Sequence, residues 1–296
     1  MKTAWLVSLC LLCMATGLAN TNAPVEVKCP AAYNQLGQFT RQAAEVLINE
    51  ITDKLALDAA PVKIVLTAQE NDFEKYTQTA LPEWASAVTI FPPGVIVIKT
   101  PDLTRSTLRA YRTALRHELV HLLQGKQVPL NLTPTWFNEG LATYLTGEFD
   151  IDQRVTLSRA LWSKRLIPLE QLDELLHFPS AQAELAYAEC AGAVEFLISI
   201  YGSSTVSTIL QRMQQGTNFD AVLSEIIATD ETFSDLYQQY LTKHFTWIFL
   251  LDIQNFLWLI IPGLVFLAYL SIRHRNKSIL QKWNAEEITQ ENAEQI

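Results

Sequence analysis

In the stretch RHELVHLLQGKQVPLNLTPTWFNEGLATYL, Arg116 to Leu145, two histidines four residues apart are followed by a glutamate set among large apolar residues. On a helix, His117 and His121 lie one above the other on the same face. That spacing lets two imidazole nitrogens reach one zinc ion, and Glu118, one step around, is placed to hold a water that the metal acidifies. A third ligand is required. Glu139 is the candidate, lying in TWFNEGLATYL between Trp136, Phe137, Leu141 and Tyr144. A glutamate in such company is seldom left uncompensated, whereas on an amphipathic helix it would simply face solvent. Asn138 reads either as an amide that orients a histidine or as helix surface. Two imidazoles and a carboxylate leave a fourth position for water, as hydrolytic sites do; structural zinc is usually closed by four ligands rich in cysteine.

Two helices must carry these groups. LRHELVHLL is apolar at helical spacing around its polar residues, and Pro134 opens the second helix. Upstream, apolar residues at helical spacing predict a helix over Gln38 to Leu57. Pro61 then introduces the β-rich run VKIVLTA, and AVTIFPPGVIVIKTP places β-formers on both sides of a Pro-Pro-Gly turn. From Thr104 onward the pattern is helical, with breaks at Pro129, Pro134, Pro168, Pro179 and Gly202. The expectation is an α+β domain over 20–244: a small N-terminal sheet with a helix, then a mostly helical part.

The ends of the chain suggest export. Lys2, the apolar run Ala4–Leu12 and the small residues Gly17 to Ala19 read as a signal peptide over 1–19, with an uncleaved anchor as the competing reading. FLWLIIPGLVFLAYLSI, Phe256–Ile272, preceded by the apolar stretch from Thr246, reads as one C-terminal transmembrane helix over 245–272. Arg273, Arg275 and Lys277 follow it as a cytoplasmic flank would, leaving 273–296 as a cytoplasmic tail. The part over 20–244 would then face the periplasm or the cell exterior. Removing the leader takes Cys10 and Cys13 with it. Cys29 and Cys190 remain, and both a disulfide between them and two thiols are open. A net charge of −9 argues against nucleic-acid binding. Of the other histidines, His177 lies at a helix end, and His244 and His274 flank the expected span.

The HExxH pattern, with Glu139 in a W-x-N-E-G-x-A-x-Y helix beyond it, resembles the gluzincin metallopeptidases. More closely it is similar to the peptidase MA-like domains of bacterial exported proteins. LPEW before GVIVI, PTWFNEGLATYL, LIPLEQL and AYAECAGAVEFLISIYG extend the likeness over nearly all of 20–244. Seventeen residues separate His121 from Glu139, one fewer than is usual in the aminopeptidase type. The resemblance implies a zincin-like catalytic part, Zn²⁺ held by His117, His121 and Glu139, Glu118 as general base, and a peptide or protein substrate. It also implies that Tyr187, in YAECA, stabilises the oxyanion of the tetrahedral intermediate; the other reading of Tyr187 is a core aromatic. GVIVIKT resembles the edge strand that pairs with extended substrate in such enzymes. The aminopeptidase signature G-x-M-E-N is absent from the sequence, which removes support for strict aminopeptidase activity. The alternative function is a non-catalytic zinc-containing module that binds a protein at the membrane.

Overall fold

The β-rich runs of the N-terminal third form one sheet, and the remainder of the chain is helical. A computed structural model describes residues 24–78, 81–82, 85–248 and 253–294. The expected signal peptide lies outside them. The chain divides into two units, Met1–Leu130 and Asn131–Ile296.

In the first unit the strands are β1 (Val25–Lys28), β2 (Val62–Thr67), β3 (Ala87–Ile90) and β4 (Val95–Lys99). Their order is β1-β2-β4-β3, with β1, β2 and β4 parallel and β3 antiparallel to β4. The expectation that GVIVIKT is the edge strand is thereby corrected. β4 lies between β2 and β3, and the edges are β1 and β3. The uninterrupted apolar run Val95–Ile98 is what a strand covered on both faces requires, and Ile96, Val97 and Ile98 are buried. The turn between β3 and β4 ends on Gly94, whose φ of +83° suits a residue without Cβ.

The α-helices among the described residues of this unit are α1 (Asn34–Leu55), α2 (Glu70–Thr77), α3 (Pro101–Thr104) and α4 (Leu108–Gln127). The helix expected over 38–57 begins a turn earlier. Its first turn is held by small and polar contacts that apolar spacing does not register, with Gly37 lying against the Cys29 sulfur. It stops where Ala56 turns left-handed, at φ 51°. Ala44, Leu47, Ile48, Ile51 and Leu55 form its buried side. α1 packs on β1 and α4, and α4 on β3 and β4. Thr40 and Tyr111 share a buried hydroxyl–hydroxyl hydrogen bond of 2.7 Å across α1 and α4. α2 rests on β2 and β4 through Phe73, its one buried residue.

The second unit contains α5 (Thr135–Thr146), α6 (Ile151–Ser163), a 3-10 helix (Leu169–His177), α7 (Ser180–Tyr201), α8 (Thr205–Gln214), α9 (Phe219–Ile227), α10 (Phe233–Phe245) and α11 (Ile253–Glu294). The prolines and glycine read as breaks act as such. Pro134, Pro168 and Pro179 immediately precede helices, and Gly202 ends α7. α7 is the axis of this core, touching α5, α6, α8 and α10. A Cβ on Gly140 would fall inside contact distance of the Cys190 carbonyl, so α5 and α7 meet backbone to side at that point. Trp136 stacks on Phe233 with centroids 4.7 Å apart, and Phe137 meets Phe219 edge-on at 5.0 Å. α10 is tied to α6 near its end: the Ser158 hydroxyl donates to the Phe245 carbonyl and the Trp162 indole N–H to that of Thr246, each at 2.6 Å.

α11 is one 42-residue helix, so the expected polar tail from Arg273 is helical and continuous with the segment before it. No single helix among the described residues is long and apolar enough to cross a membrane. α11 carries apolar side chains between Ile260 and Ile272. Within it Ile261, Leu264, Val265, Phe266 and Leu267 are each more than half exposed. α7 and α8 together have suitable length and composition but are bent by 101°, and α7 is core. Cys29 and Cys190 are free cysteines, Cys29 half-buried and Cys190 buried.

Candidate metal centre

α4 presents the two histidines as their spacing predicts. Its buried positions Leu115, Leu119, Val120, Leu122 and Leu123 fix the helix on the sheet, and the Thr107 hydroxyl caps its first turn by accepting from the Ala110 N–H. His117 is half-buried and His121 buried. Their rings stand edge to face with centroids 4.8 Å apart. Two imidazoles so close on one helix face fit shared coordination of a single ion, and nitrogen donors of this kind suit zinc.

Glu118, 9% exposed, turns toward the sheet. Its Oε2 accepts a hydrogen bond of 2.7 Å from the Thr89 hydroxyl on β3, and the same hydroxyl lies 3.0 Å from the Glu118 backbone carbonyl. The sequence reading did not single out Thr89. A threonine inside AVTI reads as an ordinary strand residue, and nothing local links it to a glutamate 29 positions away.

The other site residues lie in the second unit. Glu139 is half-buried on α5, between buried Asn138 and buried Gly140. Asn138 accepts a hydrogen bond from the Thr133 hydroxyl on its Oδ1 and donates through Nδ2 to the Thr133 carbonyl at 3.3 Å, which pins the turn entering the helix. Tyr187 is half-buried on α7, in a segment where Ala183, Ala186, Ala188 and Ala191 are buried. The contact of Gly140 with Cys190 comes one residue after Glu139 and three after Tyr187, so a single close approach fixes the helices that carry both. His177 ends the 3-10 helix, His244 packs on Tyr240 at 4.5 Å in the last turn of α10, and His274 is exposed on α11.

A further acid in this unit escaped the sequence reading. Glu189, 1% exposed, accepts from the Ile167 N–H at 2.8 Å. Burial pushes its carboxyl up to about 8, against the opposing pull of that hydrogen bond. The Tyr237 hydroxyl donates to the Glu189 backbone carbonyl at 2.9 Å, and burial, followed by the charge of Glu189, holds that phenol well above its usual range.

No curated protein matches the sequence. The family model of the Peptidase MA superfamily matches residues 42–243, from within α1 to within α10. That superfamily is typically zinc-dependent, in keeping with the histidine pair on α4. The chain belongs to the peptidase MA superfamily.

Proposed function

We propose that the protein is a zinc metallopeptidase with its peptidase part exported and α11 anchoring it in a membrane. His117, His121 and Glu139 would hold the ion. α4 supplies two imidazoles and α5 a carboxylate, and two imidazoles with one carboxylate is a three-ligand set that leaves room for water. Zinc, when bound, acidifies a water and polarises the scissile carbonyl. Glu118 would take a proton from the attacking water and return it to the leaving amine. Tyr187 holds the oxyanion of the tetrahedral intermediate by its phenol. β3, the edge strand that packs on α4, offers backbone groups to an extended peptide. The exposed apolar side chains of α11 ahead of Arg273 support the anchor, since surfaces of this kind mark contact with lipid or protein.

The observation that carries the reading is the arrangement on α4, with apposed imidazoles and, beside them, a buried carboxylate held by a hydrogen bond. The test is zinc content and cleavage of a peptide panel by the full chain, its Glu118→Gln variant and its Glu139→Ala variant. The expected result is one zinc with cleavage in the native chain, zinc without cleavage in Glu118→Gln, and reduced zinc in Glu139→Ala. Equal cleavage by the native chain and Glu118→Gln would overturn the mechanism. Zinc with no cleavage by either would favour the protein-binding module.

A further inference from the structure

The Thr89–Glu118 hydrogen bond joins the edge strand to the helix that carries the histidines. Several features place it. Among the described residues β3 is paired along one side only, with Thr89 opposite Ile96 of β4. Beyond β3 the chain turns through Phe91, whose ring lies on Gly125 of α4 so closely that a Cβ there would come within 2.7 Å of Phe91 Cζ. A glycine inside a helix costs about 1 kcal/mol relative to alanine. Here it lets the hairpin turn settle on α4, and β3 is thereby held at a fixed height over Glu118.

The hydroxyl of Thr89 has one proton and two oxygens of the same residue within reach, Oε2 at 2.7 Å and the backbone carbonyl at 3.0 Å. The carbonyl alone would satisfy it, yet the carboxylate is the closer partner. A hydroxyl–carboxylate bond is also the stronger kind, since the acceptor carries charge. Valine has the same shape and fits a half-buried strand at least as well, so packing does not account for the hydroxyl. A carboxylate 9% exposed, in contrast, needs a donor.

We infer that Thr89 is a positioning residue for Glu118: its hydroxyl anchors Oε2, sets the direction of the carboxylate and turns Oε1 to the water. The inference rests on the peptidase reading and deepens it. One short strand would then carry both the docking edge for an extended peptide and the support for the base, so the attacking water and the scissile bond are referenced to the same backbone. A general base displaced by about 1 Å from its productive position loses on the order of 10²-fold in rate.

The experiment uses the full chain with Thr89→Val, which keeps the shape and removes the hydroxyl, and Thr89→Ser, which keeps the hydroxyl. On a cleaved peptide, Thr89→Val lowers kcat by about 10–100-fold with KM and zinc content unchanged, and Thr89→Ser recovers activity to within a few-fold of native. An unchanged kcat in Thr89→Val, or an equal loss in Thr89→Ser, overturns the inference. A second measurement is independent of turnover: melting temperatures of Thr89→Val, Glu118→Ala and the double variant. Non-additive shifts are expected of two groups in direct contact, and additive shifts overturn the inference. A native chain that cleaves no peptide yet shows the coupling would count against the peptidase reading alone.

Discussion

Among the described residues each unit buries one glutamate, and the two are held in different ways. Glu118, in the first, is gripped by a side-chain hydroxyl from the edge strand and lies beside two half-buried or buried imidazoles. Glu189, in the second, is sealed at 1% exposure with a backbone amide as its donor, and burial raises its carboxyl to about 8. Both would be flagged by a search for buried acids. The surroundings separate them: Glu118 lies beside the paired imidazoles of α4 that the proposed metal would use, whereas Glu189 links α7 to the segment ahead of the 3-10 helix. A buried carboxylate points to chemistry when its neighbours can share the reacting atoms, and to architecture when its partner is a fixed peptide group.

Amide substitution at each position is the strongest way to break that contrast. Glu118→Gln lowers peptide turnover by about 10²–10⁴-fold, the range of a lost general base, while Glu189→Gln stays within about two-fold of native, because it touches no group assigned to catalysis. Parallel kinetics on both variants decide this, and an equal loss in the two would dissolve the distinction. Next in size is Gly140→Val. Its side chain has no room against the Cys190 carbonyl, and the second unit is expected to lose about 3 kcal/mol, read as a fall in the urea midpoint.

The third test is pH. Because Glu189 titrates at about 8 in the fold against an ordinary value of 4.5, the folded state binds a proton that the unfolded chain has released between those values. Stability contributed at this residue is therefore full below 4.5, falls as pH rises toward 8 and levels off above it. Glu189→Gln keeps an acceptor for the Ile167 N–H and removes the titration. Its melting temperature should exceed that of the native chain most at pH 8, by the equivalent of a few kcal/mol at most, about 1.4 kcal/mol for each unit of pKa shift, with the gain shrinking as pH is lowered. Smallest is Thr107→Ala, which removes the cap of the helix bearing the histidines. A loss of about 1 kcal/mol is expected, with zinc binding retained.

Much of the candidate site was legible because its signals are local. His117 and His121 lie one helical turn apart, and Pro134 announces the helix of Glu139. The parts that were missed depend on contacts distant in sequence or on elements too short to show a period. β1, reading Val-Glu-Val-Lys, alternates over four residues and is half exposed, so no run of apolar side chains marks it. α2 shows one buried residue in eight. The edge was assigned to β4 on resemblance, although four consecutive apolar residues already favoured an interior strand. Thr89 and Glu189 lacked any local signal. The first owes its role to a hairpin seated on Gly125, and the second stands among alanines and a cysteine that give no sign of where its carboxylate points.

The ties from α6 to the end of α10 have a mechanical consequence. A pull on the chain beyond Thr246 acts first on the carbonyls that Ser158 and Trp162 grip. Load is therefore shared sideways into α6 before it can peel α10 from its end, so traction on the C-terminal segment is borne as shear between two helices.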